Sequence, residues 1–418
     1  MDVFYVVLGI IVIIATIYFL IKKVEARMVL MAAGLFMAII AGKPMAAFTA
    51  FSERMVTAGL IQAILSVMGF AYVMKFTECD KHLVHLVAGG LKKTGVFLVP
   101  LAVLATFAIN IALPSAAGAA AAVGAIFIPV MMAAGVNPAI AGAAVLAGTF
   151  GSMLNPGLSH NAFVGEITKL KPMEVVSVHA TASIVSGIIA AVTLGIIAFI
   201  FKEYKGYETS DHIGEDIEKV KILHAIVPLV PVIILVLGAT VVPALAMGVP
   251  EAMLIGVIVS LIVTLKSPTQ LVQSFFNGMG KSYGDIMGII IAASVFVGGL
   301  DAIGLVQTFT DAMIHNSSIV NIAATFGPFL LGVVSGSGDA AAFAFNEAVT
   351  PLAAQFGVDP VNMGSIAALG GALGRTMSPI AGAAIVCAGI AKVNPMELAK
   401  RNAPGMIIAA IVSMIILL

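Results

Sequence analysis

Polar residues are scarce in this chain, and they gather at four short interruptions of otherwise apolar sequence. One reads Ser335-Gly336-Ser337-Gly338-Asp339, with Asn346 and Glu347 two turns further on. A second, Gly374-Arg375-Thr376-Met377-Ser378-Pro379, carries an arginine between glycine and proline. The third is Gly151-Ser152-Met153-Leu154-Asn155-Pro156-Gly157-Leu158-Ser159-His160-Asn161, and the fourth Asn110-Ile111-Ala112-Leu113-Pro114-Ser115. Helix breakers beside hydroxyl, amide and charged groups are the composition of a broken helix. Its half-ends offer N–H groups to an anion and carbonyls to a cation. The guanidinium of Arg375 adds a fork that matches a carboxylate with two parallel hydrogen bonds. Candidate anion ligands are therefore Ser115, Asn155, Ser159, His160, Asn161, Ser337, Arg375, Thr376 and Ser378. Asn110, Asp339, Asn346 and Glu347 are the candidates to carry a coupled sodium ion or proton.

Plainer roles compete with these. Ser115 could simply cap the helix that follows Pro114, and His160 could bond a backbone carbonyl. Arg375 could form a buried pair with Asp339 or Glu347, alternating between that acid and an arriving anion. Asp285, Asp301 and Asp311 fall near segment ends and are expected to be solvated. His82 and His85, beside Lys81, Lys92 and Lys93, suit an amphipathic helix at a membrane surface. Cys79 and Cys387 read as two free thiols. Patterns for a zinc protease, a nucleophile elbow or a phosphate loop are absent, so neither an enzyme nor a resident cofactor or metal is expected.

The elements that must position these residues follow from composition. The 418 residues are 61% hydrophobic and 10% charged, with a mean hydropathy of +1.13. A water-soluble chain so apolar could not cover its surface, so lipid is the expected solvent. Formal net charge is zero, which gives no footing for nucleic acid. The first apolar run, residues 3–20, follows Asp2 and is trailed by Lys22, Lys23 and Arg27. That order suits an uncleaved span with its N-terminus outside.

The second half of the chain echoes the first at a nearly constant offset of 222 to 224 residues. Pro44, Phe51 and Met55 recur as Pro268, Phe275 and Met279; Gly135-Val136-Asn137-Pro138 as Gly357-Val358-Asp359-Pro360; Asn155-Pro156 as Ser378-Pro379; Pro172-Met173-Glu174 as Pro395-Met396-Glu397. Matches in one order across the chain are an internal duplication. The first half gives apolar segments at 3–21, 28–42, 59–77, 95–112 and 119–135, an interrupted segment at 138–170, and 173–201. The second gives 222–243, 251–266, 282–300, 319–334 and 340–356, an interrupted 360–391, and 396–418. A polar stretch from Lys202 to Lys221 joins them.

The positive-inside rule decides whether 95–135 crosses twice or dips and returns. With a returning hairpin each half crosses an odd number of times, and the halves are inverted. All but five of the 21 lysines and arginines then share one side. Lys43, Arg54, Lys169 and Lys171 face the other, and Arg375 lies within the membrane. Full crossings would scatter that bias. The expected fold is an all-α polytopic membrane protein of two inverted repeats, 1–205 and 222–418, with a cytoplasmic linker at 206–221. Each repeat would have roughly five spans and one re-entrant hairpin, with both termini outside.

The hairpin tip Leu113-Pro114-Ser115, the break Asn155-Pro156-Gly157-Leu158-Ser159-His160 and the break Gly374-Arg375-Thr376-Met377-Ser378-Pro379 resemble the anaerobic four-carbon dicarboxylate carrier family, of the DcuC type, within the ion transporter superfamily. The resemblance spans essentially the whole chain. It implies exchange, uptake or efflux of fumarate, succinate or malate across a bacterial inner membrane. It also implies a homodimer in which a transport unit slides past a scaffold. On that pattern the scaffold is 1–77 and 222–300, the arms are 79–93 and 301–315, and the moving elements are 95–201 and 319–418. Sodium-coupled relatives carry Ser-Asn-Thr at tip and break; Pro114-Ser115-Ala116 and Ser337-Gly338-Asp339 stand in the tips here. Another organic anion (a monocarboxylate, citrate or an amino acid derivative) and an anion channel are the alternative readings.

Overall fold

Prolines and Asx caps set where many of the helices begin. Asn137, Asp359 and Asn394 each accept a backbone N–H through the side-chain oxygen, and Pro138, Pro360 and Pro395 follow at the first helical position. Proline there lacks only a donor that would have been orphaned anyway. Gly135 (φ +90°) and Gly357 (φ +75°) precede two of these caps. The repeated Gly-Val-Asx-Pro is thus a physical unit: a left-handed turn closes one helix and a capped proline opens the next.

The computed structural model describes residues 3–22, 24–91, 94–208, 220–308 and 317–418. Lys23, Lys92, Lys93, Asp311, most of the linker 206–221 and part of the stretch 301–315 lie outside the described residues. Among the described residues all regular structure is helical. The first half holds α1 (Val3–Ile21), α2 (Ala26–Ile40), α3 (Pro44–Met55), α4 (Ala58–Thr77) and α5 (Cys79–Leu91). It continues with α6 (Leu98–Ala112), α7 (Ala116–Ala133), α8 (Pro138–Ala147), α9 (Ser159–Thr168) and α10 (Pro172–Ile200). The second half holds α11 (Ile222–Ile226), α12 (Val230–Thr240), α13 (Val249–Thr264), α14 (Pro268–Ser282) and α15 (Gly288–Ala302). Then come α16 (Ser317–Ser335), α17 (Gly338–Ala348), α18 (Pro360–Thr376), α19 (Gly382–Ala391) and α20 (Pro395–Leu417).

Eight segments of the described residues are long and apolar enough to cross a membrane, and five shorter apolar helices accompany them. Outward faces are apolar: Ile184, Ile188, Val192, Ile196 and Phe199 line the exposed side of α10. Such a stripe would be costly in water and is at home in hydrocarbon. The tips at 113–115 and 336–337 and the breaks at 148–158 and 377–381 fall where the sequence places them.

Two helices go beyond the sequence reading, which leaves 43–58 and 267–281 unassigned. α3 and α14 fill these gaps. Both mix polar residues into an apolar face (Ser52, Glu53 and Arg54 in one, Gln270, Gln273 and Asn277 in the other), so neither reads as a span. α14 passes through a π-helical turn, Tyr283–Met287, into α15 as one continuous rod, 268–302. Its counterpart is interrupted between α3 and α4 at Val56–Thr57.

A candidate substrate site where tips and breaks converge

The first break is held open by asparagine side chains. Asn110, at the end of α6, donates to the Leu113 carbonyl at 2.8 Å and accepts from the Ser152 N–H at 2.7 Å. Asn155 donates to the Ile111 carbonyl at 2.6 Å and accepts from the Gly157 N–H at 2.7 Å. Asn161 donates to the carbonyls of Met153 and Asn155, both at 2.8 Å, and its Oδ1 lies 2.9 Å from His179 Nε2. His179 Nδ1 in turn lies 3.0 Å from the Ser183 hydroxyl. These amides replace the backbone partners that an unwound segment loses, which is the condition for irregular backbone inside an apolar structure. Each of these amides thereby has at least one donor and its acceptor engaged by the protein itself.

Glycines let the pieces touch. A Cβ on Gly151 would lie 2.0 Å from the Phe107 carbonyl oxygen, and one on Gly374 would lie 2.0 Å from that of Phe329. Phe107 and Phe329 are themselves related by the internal repeat. The same crossing of hairpin arm and broken helix is built twice.

The four interruptions form a connected chain. Asn110 and Asn155 join the first tip to the first break. His160, 3% exposed, joins that break to the second tip: its Nε2 lies 3.0 Å from Asp339 Oδ1, and its ring stacks on Phe343 at 4.3 Å. Arg375 donates from Nη2 to the Thr149 carbonyl at 3.2 Å, joining the second break to the first. Gly338 packs its backbone against Gly371, closing the second tip on the second break.

Two atoms at this junction are buried without a hydrogen-bond partner: Arg375 Nε and His160 Nδ1. An unpaired guanidinium N–H away from water is costly and is normally satisfied. Asp339 keeps 59% of its side chain exposed beside them. The ion pair foreseen between Arg375 and Asp339 or Glu347 is not formed. Asp339 is taken by His160 instead, which also replaces the backbone carbonyl foreseen for His160. Glu347 is taken by Arg54.

That last contact gives Arg54 a largely buried partner that the sequence reading did not assign to it. Arg54, at the end of α3, is 18% exposed and ion-paired with Glu347, whose side chain is 12% exposed. Its Nε donates to the Ser294 hydroxyl at 2.9 Å, and that hydroxyl donates to Glu347 Oε1 at 2.7 Å. The guanidinium also sits 5.5 Å from the Phe163 ring. Phe163, Phe343 and His160 run on from there as one aromatic wall.

The remaining candidates serve their own helices. Ser115 and Ser337 cap α7 and α17, accepting from Gly118 and Ala340 at 3.1 and 3.4 Å. Thr376 donates to the Ala372 carbonyl at 2.8 Å, and Ser378 accepts from the Ile380 N–H at 3.4 Å. Asn346 donates to the Gly364 carbonyl at 3.2 Å and accepts from the Thr350 hydroxyl at 2.8 Å. Ser159, partly exposed, borders a small recess with Val67, Pro114 and Gly157.

Beside that recess, sharing Met68 and Ile286 with it, is a cavity of about 1080 Å³, lined by Met68, Tyr72 and Lys75 of α4, Lys81 and His85 of α5, and Ser115. Lys281 and Asp285 border it from the α14–α15 rod. α5 walls this cavity, packed on α7 and α11, with the rings of His82 and His224 5.0 Å apart. Sequence reasoning missed Thr149, His179, Arg54 and Ser294. A charged residue adjoining the repeated Phe51 and Met55 was the available signal for Arg54.

The profile of the DcuC family, described as the C4-dicarboxylate anaerobic carrier, matches residues 42–418. A putative uncharacterized transporter of Haemophilus influenzae is 48% identical over 272 residues, covering 62% of this chain and 98% of that protein. The anaerobic C4-dicarboxylate transporter DcuC of Escherichia coli K12 is 25% identical over 377 residues, covering 84% of this chain and 78% of the relative. In architecture the chain is similar to Alcanivorax borkumensis YdaH, with a TM-score of 0.60 at 14% identity over 88% of this chain and 86% of the other. Neisseria gonorrhoeae MtrF, described as illuminating a class of antimetabolite efflux pumps, gives 0.58 at 14% identity over 89% and 82%.

Proposed function

The chain belongs to the C4-dicarboxylate anaerobic carrier family and is a multi-pass membrane transporter rather than an enzyme, and from that premise we propose that it carries four-carbon dicarboxylates of the fumarate, succinate and malate type across the bacterial inner membrane by alternating access. The observation that carries this reading is Arg375, a guanidinium whose Nε is buried with no partner where the second tip adjoins both breaks. A carboxylate there would complete the arginine's hydrogen bonds and neutralise its charge. The cavity reaches Ser115 at the first tip, and a small recess beside it reaches Ser159 at the first break, on the side from which a substrate would approach.

In this reading the halves are inverted repeats with both termini outside. Residues 95–201 and 319–418 move against a scaffold of 1–77 and 222–300, and the protein works as a homodimer. The clustering of Asp339 with His160 and Arg375 supports Asp339 as the group that carries the coupled ion.

Reconstituted into liposomes, the protein should take up labelled succinate faster when the vesicles are preloaded with unlabelled succinate. A channel would show no such counterflow. Competition by fumarate, citrate, acetate and amino acid derivatives, with sodium and proton gradients imposed separately, reads the substrate and the coupled ion. Asp339→Asn should abolish accumulation driven by the effective gradient yet leave succinate–succinate exchange within about threefold, since exchange needs no net ion release. Accumulation as in the parent protein would remove Asp339 from the coupling role.

A further inference from the structure

The cavity and the Arg54–Ser294–Glu347 cluster lie at different ends of the same elements. Along the α14–α15 rod the cavity is bordered at residues 281–286, and the cluster attaches at Ser294, roughly 12 Å further on at 1.5 Å per residue. Along α4 the cavity is lined from Met68 to Glu78, whereas Arg54 precedes the helix's first residue. Along α17, Asp339 stands at the tip with the proposed substrate site, and Glu347 lies eight residues beyond it. Along the rod and α4 the cavity lies towards one end and the cluster towards the other.

The cluster also joins the groups that the proposed function sets in relative motion. Arg54 and Ser294 belong to α3 and α15, and Glu347 belongs to α17, the second arm of the second hairpin. Phe163, from the first broken helix, covers the guanidinium. Glu347 Oε1 receives both Arg54 and Ser294, while its Oε2 is buried without a partner. A lone ion pair in such surroundings resists separation, because pulling it apart leaves two desolvated charges.

We propose that Arg54, Ser294 and Glu347 form a clasp that holds the second hairpin closed on the side away from the cavity, and that its opening is a step of reorientation. The inference rests on the two-unit reading above. Arg54 and Glu347 thereby act as positioning residues. They would set how often the closed side opens, and not how tightly substrate is held once the site is reached.

The test is labelling that needs no substrate, so it stands even if the dicarboxylate reading fails. The native cysteines Cys79 and Cys387 are buried. Ala344→Cys on α17 places a thiol against an apolar cluster of α1, α2 and α15 side chains that includes Phe296. Ala122→Cys lines the cavity and marks its face. An impermeant maleimide is added to right-side-out and to inside-out vesicles. With Glu347→Gln or Arg54→Gln, Ala344→Cys should label about tenfold faster from the face opposite the one that labels Ala122→Cys. The exchanged pair Arg54→Glu with Glu347→Arg should return the rate to within about twofold of the parent. In uptake assays the same single variants should change Vmax more than KM. Labelling unchanged in both single variants overturns the clasp, as does labelling accelerated from the cavity face. An exchanged pair as fast as the single variants leaves only a packing role and overturns it equally.

Discussion

Arg375→Ala should lower the initial rate of succinate uptake by on the order of a hundredfold with the protein still folded. A hydrogen bond to a charged group is worth about 1.5–3 kcal/mol, so two at the lower end give about 3 kcal/mol, a little over a hundredfold at about 1.4 kcal/mol per factor of ten. The present anchor of Arg375 is a single bond to the Thr149 carbonyl, so the deletion removes little that holds the helices together. Arg375→Lys should recover only part of the rate, because an ammonium is a point charge without the fork. The check is uptake in proteoliposomes at matched protein content, with thermal unfolding as the control for folding. Uptake within threefold of the parent in Arg375→Ala would remove the arginine from the site.

The second large effect is structural. Gly374→Ala and Gly151→Ala each drive a methyl group into a backbone carbonyl that stands 2.0 Å from the Cβ position. Overpacking against side chains costs about 1–3 kcal/mol; a backbone oxygen in a hairpin arm yields less readily, so the cost should exceed that range. Folded protein recovered from membranes should fall at least tenfold. Gly382→Ala, at the start of α19 with nothing within 4 Å of its Cβ position, should express as the parent does. Equal yields for all three would mean that the arms do not cross as closely as described.

Much of the architecture was legible in the sequence because lipid simplifies the physics. Long apolar runs must be helices, and a polar interruption must be a turn or a break. Gly-Val-Asx-Pro at 135–138 and 357–360 announced its turn, cap and helix start directly. α3 and α14 were not legible, because a helix that mixes Gln, Ser and Arg with apolar residues gives no hydropathy peak. Within the site, the residue types were found but their partners were not. Asp339 sits close to Arg375 in the repeat logic, yet His160 is the base that reaches it. Asn110, Asn155 and Asn161 looked like ligands because amides at such depth are expensive. Their hydrogen bonds go to the chain's own unwound backbone, a destination that only three-dimensional proximity reveals.

The unequal treatment of one duplicated segment has a kinetic consequence. Residues 268–302 form one continuous rod, while the matching piece of the first half is interrupted at Val56–Thr57. A carrier with one stiff and one hinged lever need not present equal barriers to its two faces. Half-saturation for influx and efflux can differ, with the maximal rates compensating so that no net work is done at equilibrium. Removing the joint would make the two directions more alike.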